Sequence, residues 1–177
     1  MRLSLKLRTL RRKSLRDNLE VLVCSPGGTG TTAFLLHLSQ FSRTNHPHDK
    51  DGLKHLPYPP IFQMKKILFI WAPPRDSFES LRRRGWIRRQ LRKMGFLAGI
   101  CGGSNFSRYC FFSLFANQYV AFRFASVVAP SLVHVISYED LFESGESLGK
   151  FLGITNPRFV SDFPKRVSRN RSTNHHS

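Results

Sequence analysis

Two stretches of this chain carry residue types and spacings that could do chemistry. The first, SPGGTGTT at residues 25–32, sets three glycines and three threonines directly after an apolar run. Glycine lets a backbone turn tightly and come close to an anion, and the first-turn amides of a following helix point at whatever sits there. Gly27, Gly28 and Gly30 offer that freedom, while the hydroxyls of Thr29, Thr31 and Thr32 add donors. The chemistry implied is phosphate binding; the plain alternative is a glycine turn with ordinary helix capping. The second stretch, TNHPHDKDGLKHLPYPP at residues 44–60, follows closely and is rich in His and Asp. Imidazoles and carboxylates are proton acceptors, which makes His48, Asp49, Asp51 and His55 candidate general bases. The same residues would equally suit a solvated, capped loop. Their spacing matches no standard ligand set, so no metal is expected.

The elements that must position these stretches alternate in type. Residues 21–25 read as a short buried strand, and residues 31–42 as a helix with Phe34, Leu35, Leu38 and Phe41 on one face. Residues 43–62 read as a loop, long enough for a compact domain to suggest a functional role or mobility. KILFIW at 66–71 is a second strand. A basic helix is expected from about 77 to 93, with Asp76 as its N-cap and Glu79 completing a capping-box pair. Residues 95–107 read as a loop, 111–128 as a helix and 132–137 as a third strand. SYEDLFESGESLGKFLGI then forms a short helix closing at Gly153, with Tyr138, Glu139 and Asp140 holding the strand end and capping that helix. Nothing after Asn156 reads as an element. Strands alternating with helices imply a parallel sheet, here a small three-layer α/β sandwich. Ligands of such sheets sit beyond the carboxyl ends of the strands, which puts SPGGTGTT, APPRD and SYEDL on one rim. The division expected is a basic extension over 1–18, an α/β domain over 19–156 and a basic flexible tail over 157–177.

Composition narrows the partners without choosing one. The chain has 177 residues, with 28 Lys and Arg against 11 Asp and Glu, a net charge of +17. Such a field attracts nucleotides, sulfated or phosphorylated substrates, nucleic acid and acidic membranes alike. Charge gathers in MRLSLKLRTLRRKSLR, RRRGWIRRQLRK and PKRVSRNRS. The middle stretch reads as a solvated basic face or as a funnel for an anionic cofactor or acceptor. No apolar run nears the ~20 residues that span a bilayer. Three cysteines at spacings matching no framework read as reduced, which implies a cytoplasmic setting. The acid-poor N-terminus resembles an organelle transit peptide in composition, though a solvated basic helix has the same composition.

Three features in order resemble the sulfotransferases that use 3′-phosphoadenosine 5′-phosphosulfate (PAPS). PGGTGTT looks like their 5′-phosphosulfate loop with one residue added, Gly30, Thr31 and Thr32 matching its last three positions and Thr29 its Ser. LFIWAPPRDSFESLRRRG is similar to their 3′-phosphate motif, with Pro74, Arg75, Asp76 and Ser80 matching. SYEDLFESGESLGKFLGI looks like their Tyr-Glu-Asp-Leu strand end and following helix. The resemblance covers residues 19–153 and implies a P-loop NTPase/sulfotransferase-like fold. It also implies sulfuryl transfer from PAPS to a hydroxyl or amine of a small molecule or glycan, a base drawn from the loop above, and no metal. The family's loop lysine falls on Gly28 and its first 3′-phosphate arginine on Ala72; Lys54, Lys165, Arg166 and Arg169 are the candidates to replace the missing cation. Arg166 and Arg169 stand where the family closes a basic loop over the cofactor.

Two other readings stay open. A catalytically degenerate module of the same fold would bind a nucleotide or polyanion; nucleic acid is possible but not favoured, since no RNA-binding strand motif, zinc finger or helix-turn-helix signature is present. A triphosphate enzyme lacks the Gly-x-x-x-x-Gly-Lys-Ser/Thr lysine, because Thr31 occupies its place. A Gly-x-Gly-x-x-Ala pattern at Gly28, Gly30 and Ala33 lacks the acidic residue that closes the second strand of a dinucleotide fold.

Overall fold

The computed structural model describes residues 18–94 and 104–165. Its centre is a three-stranded parallel sheet in the order β1 (Val21–Cys24), β2 (Lys66–Trp71), β3 (Val133–Ser137). Val23 lies opposite Leu68, and Leu68 opposite His134, which fixes the register across the sheet. Because strand side chains alternate faces, the sheet buries apolar residues on both sides. Val21, Val23, Leu68, Ile70 and Ile136 face one way, against α1 (Thr32–Leu38), α5 (Tyr138–Leu141), α6 (Gly145–Leu152) and α7 (Arg158–Ser161). Leu22, Cys24, Ile67, Phe69 and Val133 face the other, against Phe122 and Ala125 of α4 (Ser104–Val128). Phe69 stacks on Phe122 with ring centroids 4.3 Å apart.

The third cluster positions the basic segment. Phe78 and Leu81 of α2 (Pro74–Arg83), Leu91 of α3 (Ile87–Lys93) and Met94 pack with Phe111 and Phe115 of α4. The single helix expected over 77–93 is therefore two. Gly85 adopts φ +65° between them, and that left-handed residue ends α2 and redirects the chain. Nor is Asp76 the N-cap: the helix starts at Pro74, whose missing N–H costs nothing at that position, and Asp76 lies in its first turn. Glu79 bonds forward to Arg82 at 2.8 Å and closes no capping box.

Residues 43–62 form the loop expected, and one further expectation, that no element follows Asn156, is corrected. The long loop over 43–62 is packed. Thr44 makes a parallel bridge to Val21, and the Asn45 side chain accepts from the Val23 amide at 2.8 Å and donates to its carbonyl at 3.0 Å. With the Arg43 carbonyl taking the Val21 amide and the Lys54 carbonyl the Ser25 amide, Asn45 helps close the outer edge of β1, a place where open strands invite unwanted pairing. Leu53 and Leu56 then enter the core. Chain order also continues past Asn156: α7 buries Phe159 completely, and the His37 ring bonds the Phe159 carbonyl at 2.9 Å. Phe163 packs on Phe159 and Phe34, which extends the folded body beyond the boundary expected at 156. α4 begins at Ser104, earlier than the 111 expected; the loop expected ahead of it lies, for 95–103, outside the described residues, as do the N-terminal extension to residue 17 and residues 166–177.

Candidate functional site

The three segments that leave the carboxyl ends of the strands meet, as the rim argument requires. The loop after β1 is pressed against the other two. A Cβ on Gly28, at φ +75°, would collide with the backbone carbonyl of Ser77 in α2. A Cβ on Gly30, at φ +69°, would come within 3.1 Å of the Tyr138 hydroxyl at the end of β3. From α3, the buried Gln90 amide donates to the Pro26 carbonyl at 2.7 Å and covers Gly27. These close approaches shape the loop, and no lysine fits at position 28 in this conformation.

Above the loop lies a cavity of about 540 Å³. Its floor is Ser25 and residues 27–32, one wall is residues 47–50 with Lys54 and His55, and the other is built from Leu81, Arg84, Trp86, Arg89, Gln90 and Lys93. Two floor hydroxyls, Ser25 Oγ and Thr29 Oγ1, are buried with no hydrogen-bond partner among the described residues, as is Ser77 Oγ beneath the loop. An unmatched buried hydroxyl costs on the order of 1–3 kcal/mol, so such groups cluster where a ligand completes them.

The cations come from outside the loop. Lys54 is buried, and its ammonium donates to the Pro47 carbonyl at 3.1 Å and reaches Thr32 Oγ1 at 3.4 Å. Burial pulls its pKa down to about 8, against the raising pull of Asp49 and with further lowering from Lys93 and Arg84. It therefore keeps its charge at neutral pH and sits at the start of α1, where a helix N-terminus already favours anions. Lys50, Arg84, Arg89 and Lys93 complete a basic lining, with Asp49 the acid set among them.

The four candidate bases separate. Asp51 caps its own loop, accepting from the His46 amide at 2.6 Å and the Leu53 amide at 3.1 Å, and does not line the cavity. Asp49, buried at φ +55°, accepts from the Lys54 amide at 3.0 Å and is ion-paired with Lys93. His55 Nδ1 meets the Ser25 carbonyl at 2.7 Å, which requires a proton on that nitrogen, and its Nε2 lies 3.8 Å from Asp49. Burial pulls its pKa down to about 4 despite Asp49 and the Ser25 carbonyl, so the ring is neutral. His48 is different: it is exposed and lines the cavity, with its ring 5.9 Å from that of His46.

Of the cofactor-binding candidates, Gly27, Gly28, Thr29, Gly30, Thr31 and Thr32 all line the cavity. Arg75 is exposed on the first turn of α2 and lies off it, as does Ser80, whose hydroxyl and carbonyl accept from Arg84 at 2.9 Å each. Lys165 is exposed and does not line it; Arg166 and Arg169 lie outside the described residues. Sequence reasoning did not pick out Arg84, Trp86, Arg89, Gln90 and Lys93 individually. Their signal was RRRGWIRRQLRK, read as a bulk basic face; only the bend at Gly85 turns one side of it into the cavity.

Among the described residues no group of three or more His, Cys, Asp or Glu side chains is placed to share a metal ion, and no helix is long and apolar enough to cross a membrane. Comparison with protein-family models, with curated proteins and with solved structures finds no match to this chain.

Proposed function

We propose that this cavity binds the anionic end of a phosphosulfate nucleotide, and that the protein is a sulfotransferase-like enzyme acting on a hydroxyl or amine of a small-molecule or glycan acceptor. The observation that carries the reading is Lys54, whose ammonium stands beside Thr32 where the resemblance calls for a cation and Gly28 cannot provide one. Unmatched hydroxyls at Ser25 and Thr29 support the fit of an oxyanion on the loop. When bound, PAPS would supply the sulfuryl group and leave as adenosine 3′,5′-bisphosphate.

The chain's own residues divide the work. Residues 27–32 hold the oxyanions, and Lys54 balances negative charge at the 5′ side. Arg84 and Arg89 replace Arg75 and Ser80 as the groups suited to the second phosphate, since they line the cavity and the latter pair do not. His48 takes the acceptor's proton, being the exposed candidate base on the cavity wall, with no hydrogen bond from its ring among the described residues. Asp49 holds the Lys54 backbone and the Lys93 ammonium, and His55 holds the Ser25 carbonyl, rather than move protons. We place the protein in the cytoplasm, where Cys24, buried with its thiol donating to the Leu53 carbonyl at 3.6 Å, would stay reduced.

PAPS consumption should be measured with a panel of hydroxyl and amine acceptors. Acceptor-dependent release of the bisphosphate, lost in His48→Ala with bisphosphate affinity kept, supports the reading. Tight bisphosphate binding without release for any acceptor favours the second reading, a binding module without turnover. That second reading draws on the internal commitments of Asp49, Asp51 and His55.

A further inference from the structure

Residues 82–93 carry seven basic side chains and no acidic one. The bend at Gly85 leaves Trp86 at its centre 46% exposed, an unusual place for the largest side chain. The Arg84 guanidinium lies 4.7 Å from the indole ring and that of Arg89 6.0 Å. Arg88 and Arg92 are exposed one turn apart on α3 and lie off the cavity. No ion pair among the described residues involves Arg83, Arg88, Arg89 or Arg92.

A plain solvated basic face has no need of an exposed indole. Arginines spaced along a surface beside an accessible aromatic ring suit a flexible polyanion that bears planar groups. The arginines meet successive phosphates, and a base stacks on the indole or its guanidinium layer. A duplex hides its bases from such a platform. We propose that the α2–α3 surface, centred on Trp86, binds single-stranded nucleic acid. This second activity does not rest on the reading of the cavity, although Arg84, Trp86 and Arg89 line both, and Arg88 and Arg92 belong to the surface alone.

Fluorescence anisotropy of a fluorescein-labelled oligothymidine of about 12 nucleotides, read between about 50 and 200 mM salt, tests it on the full chain. The wild type should bind, and more tightly than it binds a duplex of the same length. Trp86→Ala should weaken binding about tenfold or more, with Trp86→Phe recovering most of the loss. Arg88→Ala with Arg92→Ala should reduce the slope of log affinity against log salt by about 1.4, two phosphates at about 0.7 each. That double variant should keep its affinity for adenosine 3′,5′-bisphosphate, whereas Thr31→Ala with Thr32→Ala should lose the bisphosphate and keep the oligonucleotide. No binding by the wild type overturns the proposal. So does a Trp86→Ala affinity within about twofold of wild type, or equal affinity for base-free polyphosphate, either of which would leave only bulk charge.

Discussion

The ammonium nitrogen of Lys54 lies 3.4 Å from the hydroxyl of Thr32, joining a residue of the long loop to the first turn of α1. Twenty-two positions separate them in sequence, and the contact puts a cation over a glycine loop that has none of its own. Removing that cation should weaken binding of adenosine 3′,5′-bisphosphate about 10- to 100-fold in Lys54→Ala, the usual cost of a charge-assisted contact. Lys54→Arg should recover part of it.

Because the Lys54 pKa is pulled down to about 8, the same contact should be sensitive to pH. Below pH 8 the ammonium is present and affinity should be level; above it the free protein loses the charge, and affinity should fall by up to about tenfold per pH unit. Titration calorimetry across this range reads the effect, and Lys54→Arg should flatten it.

Restoring the family's lysine at the loop should fail. Gly28→Lys would force a side chain into a left-handed backbone and against the Ser77 carbonyl. Strain of that kind costs on the order of 1–3 kcal/mol. For a chain of this size about 2 kcal/mol lowers the melting temperature by roughly 4–8 °C. Bisphosphate binding should fall rather than rise.

Thr29→Val should separate stability from binding. The Thr29 hydroxyl is buried without a partner, so a methyl in its place relieves a desolvation cost and the melting temperature should hold or rise. Bisphosphate affinity should drop, since the hydroxyl's role is to meet the ligand. A fall in both would assign Thr29 to the fold alone.

Acid should loosen the loop through His55. Its folded pKa lies below the ordinary value of 6.5, so the unfolded chain binds the proton more readily. Stability from this group is intact above about pH 6.5 and is lost progressively as pH falls toward 4. Denaturant melts of the wild type and His55→Gln over that window should converge as pH falls.

The strands and the rim were legible because their signals are local. Residues 67–72 are an unbroken apolar run, and the glycines of 27–30 favour a turn. What escaped the sequence depends on distant partners. The helix expected over 77–93 runs through Gly85, and only the packing of Phe78, Leu81 and Leu91 on α4 shows that this residue divides two. Phe159 lies in a short stretch with too few apolar positions to set a period, so its burial against His37, far away in sequence, had no pattern to announce it. At the site, the glycines and threonines of the floor were legible from their types. Arg75 and Ser80 were chosen by resemblance, and the bend at Gly85 brings Arg84 and Arg89 to the cavity in their stead.

Titration calorimetry of adenosine 3′,5′-bisphosphate against the wild type and Lys54→Ala tests the central claim most directly. The wild type should bind saturably at neutral pH, and the variant about 10- to 100-fold more weakly. No binding at millimolar ligand, or equal affinity in the two proteins, would contradict it.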